Sequence, residues 1–238
     1  MVSNLNNLLP YLSRPINLII IFSIVYVFSL PPFGVSVFYY LSFSIIFYNI
    51  LTNDNFSKKY IFYFFLFTQI ITLSWITQSF YSGGFGYLLL GIILVGILSI
   101  FIAFLHYSAT ILILVTFKKK LLQIFLLPLG LSIVEILKEF IFGGFPWNPS
   151  AIIYYKNIWI LKSLPFFGVY GLGLVVHLIV GLIIYFLYYK KKVVIFSLSS
   201  VLVLIYAFGF FENNTERKTN NETLNILLIQ PNLYESLV

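Results

Sequence analysis

Long apolar runs, separated by short polar or Gly/Pro breaks, dominate this chain. Each run is close to the roughly 17–25 residues that an α-helix needs to cross the hydrocarbon core of a bilayer. The pattern predicts an all-α polytopic membrane protein, a bundle of about seven transmembrane helices within residues 1–211. The predicted spans are residues 15–30, 33–51, 60–80, 87–117, 121–140, 164–189 and 193–211.

Composition supports a membrane location. Of the 238 residues, 61% are hydrophobic, 9% are charged and the mean hydropathy is +1.01, whereas a soluble domain has roughly 25% charged residues. A soluble fold could not bury that much apolar surface. The first apolar run lacks a small-residue cleavage pattern, which indicates a retained helix rather than a signal peptide.

The basic residues predict the orientation of the bundle. Nine Lys and Arg residues fall at one end, against five at the other, and an excess of Lys and Arg in short loops marks the cytoplasmic side. This predicts a cytoplasmic N-terminus and an extracytoplasmic C-terminal tail. The net charge of +7 is explained by these loops, so we do not expect nucleic-acid binding. The nine residues are Arg14, Lys58–Lys59, Lys118–Lys120 and Lys190–Lys192.

The C-terminal tail changes in character. Residues 212–223 (ENNTERKTNNET) read as a polar linker. Residues 224–230 (LNILLIQ) follow and end at Pro231, the pattern of a buried strand. A single strand does not fold alone, so we expect residues 224–238 to be the truncated start of a further domain.

Three charged residues in the fifth predicted span are the main candidates for chemistry. Glu135, Lys138 and Glu139 have helical spacing that places them near one face. A charge in hydrocarbon is costly, so it has either a structural partner or a function. An ion pair near the membrane surface is one interpretation, with Lys138 and Glu139 reaching the headgroups; a substrate-facing role for Glu135 is the other. For His106 and His177 we expect hydrogen-bonded packing roles.

A Gly- and Pro-rich segment, Gly143–Pro149, interrupts the helices after this span. Trp147 is typical of an interfacial anchor, but the exposed backbone and the aromatic ring would also suit a substrate-facing loop. The segment lacks the Lys-Ser/Thr of a phosphate loop. The chain contains no cysteine, which excludes disulfides and thiolate metal sites. We predict no cofactor and no metal ion.

Several segments, in the right order, resemble the apolipoprotein N-acyltransferase family. The most specific are Glu135-Ile136-Leu137-Lys138 and Gly144-Phe145-Pro146-Trp147, which are similar to the family's Glu-x-Leu-Arg and Gly-Phe-Pro-Trp patterns, with Lys138 in place of the usual arginine. The other similar segments are Pro31–Gly34, Trp75 with Gly83-Gly84, Pro165–Leu172 and, as the first strand of a nitrilase-like domain, Leu224–Asn232.

The resemblance implies a bacterial inner-membrane protein that uses membrane phospholipid as acyl donor and an apolipoprotein as acceptor. In that family a cysteine of an α/β nitrilase-like domain carries the acyl group. This chain has no cysteine, so we assign no catalytic residue and expect the chain to be inactive alone. A separate nitrilase-like polypeptide could complete the enzyme. The substrate-lining candidates are Glu135, Gly144, Phe145, Pro146 and Trp147. A non-catalytic lipid-binding module and a small-solute transporter remain as alternatives.

Overall fold

The computed structural model describes residues 14–144 and 147–214, and this part of the chain is helical with no β-strand. Two segments are 3-10 helices, Ser74–Gly83 and Ser150–Tyr154, and the rest of the helical structure is α-helix. The α-helices are α1 (Pro15–Val27), α2 (Val37–Thr52), α3 (Lys58–Leu73), α4 (Phe85–Thr116), α5 (Lys120–Ile141), α6 (Ile158–Leu161), α7 (Leu164–Tyr189) and α8 (Val193–Asn214).

Seven of these helices lie in the seven predicted apolar spans, and the prediction of an all-α multi-span membrane protein is confirmed. Four helical segments are long and apolar enough to cross a membrane, and three shorter apolar helices accompany them. The four are Lys58–Tyr81, Phe85–Thr116, Lys120–Ile141 and Leu164–Tyr189, and the shorter three are Pro15–Val27, Val37–Thr52 and Phe196–Phe211.

The bounds of the spans differ from the prediction by three or more residues in four places. Helix α2 begins at Val37, after the predicted Phe33. Helix α1 ends at Val27, before the predicted Leu30. Helix α3 ends at Leu73, and the chain continues as a 3-10 helix in which the hydroxyls of Ser74 and Thr77 donate to carbonyls three residues earlier. Such bonds compete with regular helix geometry. Helix α8 continues to Asn214, into the predicted linker, since polar residues can extend a helix. The rest of that linker and the predicted strand Leu224–Gln230 lie outside the described residues.

Six helices close into a ring. In order around the bundle, α1 packs on α3, α3 on α4, α4 on α5, α5 on α7, α7 on α2, and α2 returns to α1. Helix α8 packs outside the ring against α7 and α6. The buried core between the helices is rich in aromatic rings, including the fully buried Phe47, Phe64 and Phe65.

Side chains tie the connections together at each end of the ring. At one end, Lys120 Nζ donates to the carbonyl oxygen of Leu51 at 2.8 Å. At the other, Tyr155 Oη donates to Pro32 O at 2.7 Å and Lys156 Nζ donates to Phe33 O at 2.6 Å. The connection between α5 and α7 is therefore fixed beside the turn between α1 and α2.

Candidate functional site

A polar cavity lies inside the ring, and all six helices of the ring contribute to its wall. It has a volume of about 20 Å³, room for about one water molecule. Its polar wall contains two charged residues, Glu135 and Lys138, and two histidines, His106 and His177. The remaining lining residues are Tyr26, Tyr39, Phe43, Phe65, Thr68, Gln69, Leu131, Asn148 and Ser150.

Glu135 is buried, with 7% of its surface exposed, and both of its carboxylate oxygens accept hydrogen bonds from one residue. The backbone N–H of Ser150 donates to Oε1 at 2.9 Å, and the hydroxyl of Ser150 donates to Oε2 at 3.2 Å. A buried carboxylate is tolerated only when such partners replace water. Both hydrogen bonds of the side chain thus go to the connection between α5 and α7.

Gly173 of α7 provides the space in which Glu135 meets Ser150. A Cβ atom at Gly173 would lie 2.8 Å from Ser150 Oγ and 3.1 Å from Glu135 Oε2. The first distance is shorter than real contacts allow. A glycine at this position is therefore needed for close approach.

Lys138 is also buried, with 4% of its surface exposed, so the prediction that it reaches the headgroups is wrong. Its Nζ donates to the backbone oxygen of Trp147 at 3.1 Å. The direct ion pair with Glu135 is wrong as well, because the structure shows no Glu135–Lys138 ion pair among the described residues. Glu135 Oε1 instead lies 3.9 Å from Nε2 of His177, which is charged only if protonated. Glu139, one turn from Glu135, is half-buried.

The two histidines, which sequence reasoning placed in packing roles outside the site, both lie on the cavity wall. His177 is fully buried; its Nδ1 is 2.6 Å from Ser132 Oγ and its Nε2 is 2.8 Å from Tyr39 Oη. His106 Nδ1 is 2.8 Å from the oxygen of Ile102, and its ring stacks on Phe65 at 5.0 Å between centroids. Both rings are hydrogen-bonded as expected. The sequence alone does not place His177 beside Glu135, because that proximity depends on how α7 packs on α5.

The glycine-rich segment starts with a helix ending that only glycine adopts readily. Gly143 and Gly144 have φ angles of 65° and 94°, and Gly144 N donates to Glu139 O at 2.8 Å, the long hydrogen bond of a Schellman motif. Both glycines are exposed. Trp147 is half-buried, packs near Leu73 and stacks obliquely with Trp75 at 6.1 Å. Phe145 and Pro146 lie outside the described residues.

The cluster contains Ser, His and Glu, the residue types of a hydrolytic triad, but its geometry does not suit one. Ser132 is buried and bonds to Nδ1, while Tyr39 occupies Nε2, and a cavity of one water cannot admit an acyl ester. No group of three His, Cys, Asp or Glu that could hold a metal occurs among the described residues. The cluster can instead hold the connection between α5 and α7 in place through hydrogen bonds.

A larger cavity of about 630 Å³ lies between α2, α6 and α8. Its polar contacts are the hydroxyl pair of Tyr40 and Tyr154 and the bond from Asn157 Nδ2 to Tyr206 Oη at 2.6 Å. It is open to the surroundings. We place the candidate site at the smaller cavity, because a buried carboxylate and a buried ammonium group in a membrane protein usually mark function.

The fold and this site define a multi-pass helical membrane protein with a buried polar cluster beneath the connection between α5 and α7. The family model for the apolipoprotein N-acyltransferase N-terminal domain matches residues 22–182. This match covers more than half of the chain, from α1 to α7, and the chain belongs to that family. Comparison with curated proteins gives no match.

Proposed function

We propose that this chain forms the membrane domain of a phospholipid-dependent N-acyltransferase that acts on lipoproteins in the bacterial cytoplasmic membrane. The observation that carries the proposal is the family match across α1–α7, joined with charged residues buried inside that same region. The acyl donor is a membrane phospholipid and the acceptor is the N-terminal amine of a lipoprotein.

The chain's share of the reaction is to hold the lipid. The 238 residues contain no cysteine, so a thioester on the pathway requires a thiol from outside these residues, because only a thiolate forms that bond. A nitrilase-like polypeptide or domain would supply it. We propose that residues 1–238 alone bind donor lipid without turnover.

The segment Gly144, Phe145, Pro146 and Trp147 is the proposed lining of the lipid entrance. The exposed Gly144 and the half-buried Trp147 are the two ends of this segment. A Trp side chain suits the boundary between lipid headgroups and acyl chains. Glu135 lies beneath the segment, bonded to Ser150. The entrance is proposed to face the extracytoplasmic side.

The test joins residues 1–214 to the catalytic domain of a characterised family member. The fusion is supplied with phospholipid and a diacylated lipoprotein peptide, and the triacylated peptide is measured by mass spectrometry. We expect product from the fusion, none from residues 1–238 alone, and less from a Trp147→Ala fusion. A Glu135→Leu fusion should also form less product, and Glu139→Leu is its matched control, because both residues are carboxylates of α5.

The outcomes separate the alternatives. Product from residues 1–238 alone would refute the assignment of the thiol to another segment. A fusion that cross-links a photoreactive phospholipid but never forms product would favour the lipid-binding module. Movement of a small solute into proteoliposomes, without lipid cross-linking, would favour the transporter.

A further inference from the structure

Two side chains of α5, one helical turn apart, hold the two ends of the segment Trp147–Ser150. Lys138 Nζ bonds to the carbonyl oxygen of Trp147, and Glu135 accepts from the N–H and the hydroxyl of Ser150. Both side chains are buried. The segment is therefore attached at each end to α5, one of the six helices of the ring.

The bonded backbone groups are the carbonyl of Trp147, in irregular backbone, and the N–H of Ser150. Ser150 is the first residue of the 3-10 helix Ser150–Tyr154, so its N–H has no partner within that helix. A buried backbone group without a partner is costly, and inside a membrane protein little water is present to replace one. Removing either side chain would take away one of these bonds to the segment. The segment would then relax away from α5.

We propose that Glu135 and Lys138 are positioning residues that fix the height and orientation of the connection between α5 and α7, and that Gly173 is required for this docking. The inference rests on the proposed function in one respect: the docked segment adjoins the proposed lipid entrance, so Glu135 affects lipid handling through the segment, without touching substrate.

Gly173 makes the proposal sharply testable. Gly173→Ala removes no polar group, yet its Cβ would collide with Ser150 Oγ and displace the hydroxyl from Glu135. Ser150→Ala deletes that oxygen but keeps the backbone N–H that bonds to Glu135. The double variant should therefore dock better than Gly173→Ala alone, which general destabilisation would not predict.

The experiment uses the whole chain in detergent. Because the chain contains no cysteine, each introduced cysteine is its single thiol. Ala151→Cys is the reporter, because Ala151 is buried and is the second residue of the 3-10 helix Ser150–Tyr154. Ser42→Cys, buried in α2, reports on the rest of the bundle. The measurement is the rate at which a polar maleimide modifies each thiol, which follows local opening.

We expect Glu135→Leu, which removes both acceptor oxygens, Lys138→Met and Gly173→Ala each to speed modification at the Ala151→Cys reporter about tenfold, the ratio given by about 1.4 kcal/mol. The Ser42→Cys reporter should be unchanged. Glu139→Leu should have no effect, nor should Gly96→Ala, whose Cβ would meet no atom within 4 Å. Adding Ser150→Ala to Gly173→Ala should bring the rate back towards that of the parent.

Equal rates in the parent and in all three variants would overturn the proposal, as would parallel increases at both reporters or a failure of Ser150→Ala to rescue. If Gly173→Ala yields no folded chain, recovery of folded chain in the double variant is the same test. No step needs acyl transfer, so a failure here is distinct from a failure of the proposed function.

Discussion

Removing the hydroxyl of Ser132 should destabilise the bundle through His177. The imidazole is fully buried and has one partner at each nitrogen, Ser132 Oγ at 2.6 Å and Tyr39 Oη at 2.8 Å. A neutral imidazole presents one donor and one acceptor, so both are satisfied. Ser132→Ala leaves Nδ1 without a partner, and Tyr39→Phe leaves Nε2 without its nearest one.

The two losses should differ in size. Hydrogen bonds between membrane helices contribute about 0.6 kcal/mol on average and about 1.7 kcal/mol at most, whereas a buried group left unpaired costs about 1–3 kcal/mol. Tyr39 lines the small cavity, so a water can replace its hydroxyl. Ser132 is not part of that wall. We expect about 0.6 kcal/mol for Tyr39→Phe and about 1–2 kcal/mol for Ser132→Ala.

The assay is the free energy of unfolding in mixed micelles, from titration with a denaturing detergent. Ser99→Ala is the matched control, because the buried hydroxyl of Ser99 has no hydrogen-bond partner among the described residues, and its removal should be neutral or stabilising. In a His177→Phe background the cost of Ser132→Ala should vanish. An equal cost in both backgrounds would refute the reasoning, since the hydroxyl would then act elsewhere.

Two further predictions concern the whole bundle. An impermeant thiol reagent added outside cells should label Phe85→Cys, at the exposed start of α4, and should not label Lys118→Cys. The reverse labelling pattern would contradict the predicted orientation of the bundle. Gly181→Ala should destabilise the bundle by about 1–3 kcal/mol, because its Cβ would lie 2.9 Å from the ring of Phe125, and Phe125→Leu should reduce that loss. Gly96→Ala, in open space, is the control in the same unfolding titration.

The helices could be predicted from sequence because span length and hydropathy dominate in a bilayer, where every backbone group must be satisfied internally. Helix endings could not be placed as well. The change from α to 3-10 geometry at Ser74 depends on hydroxyl bonds to carbonyls of the preceding turn. Hydropathy averaged over a window of residues contains no information about such hydrogen bonds.

The candidate site could be predicted in part. Glu135 stands out because a carboxylate in an apolar span is costly, but its partner, Ser150, is an ordinary loop serine until the fold brings it within 2.9 Å. The sequence predicts Lys138 near the surface, because a long side chain can reach headgroups. A backbone carbonyl nearby, at Trp147, holds it inside instead.

The choice of partners shows how the site is constrained. An ion pair between Glu135 and Lys138 would have satisfied both charges within one helix, and the loop could then have varied freely. Instead each charge is satisfied by the connection between α5 and α7, so neither side chain stays buried at low cost unless that connection is docked. Burial of the charges and position of the loop are therefore one requirement. Gly173 provides the space for that contact, so the position of α7 is subject to the same requirement. The segment proposed to meet the lipid therefore stays docked only while α5, the connection and α7 all keep their positions.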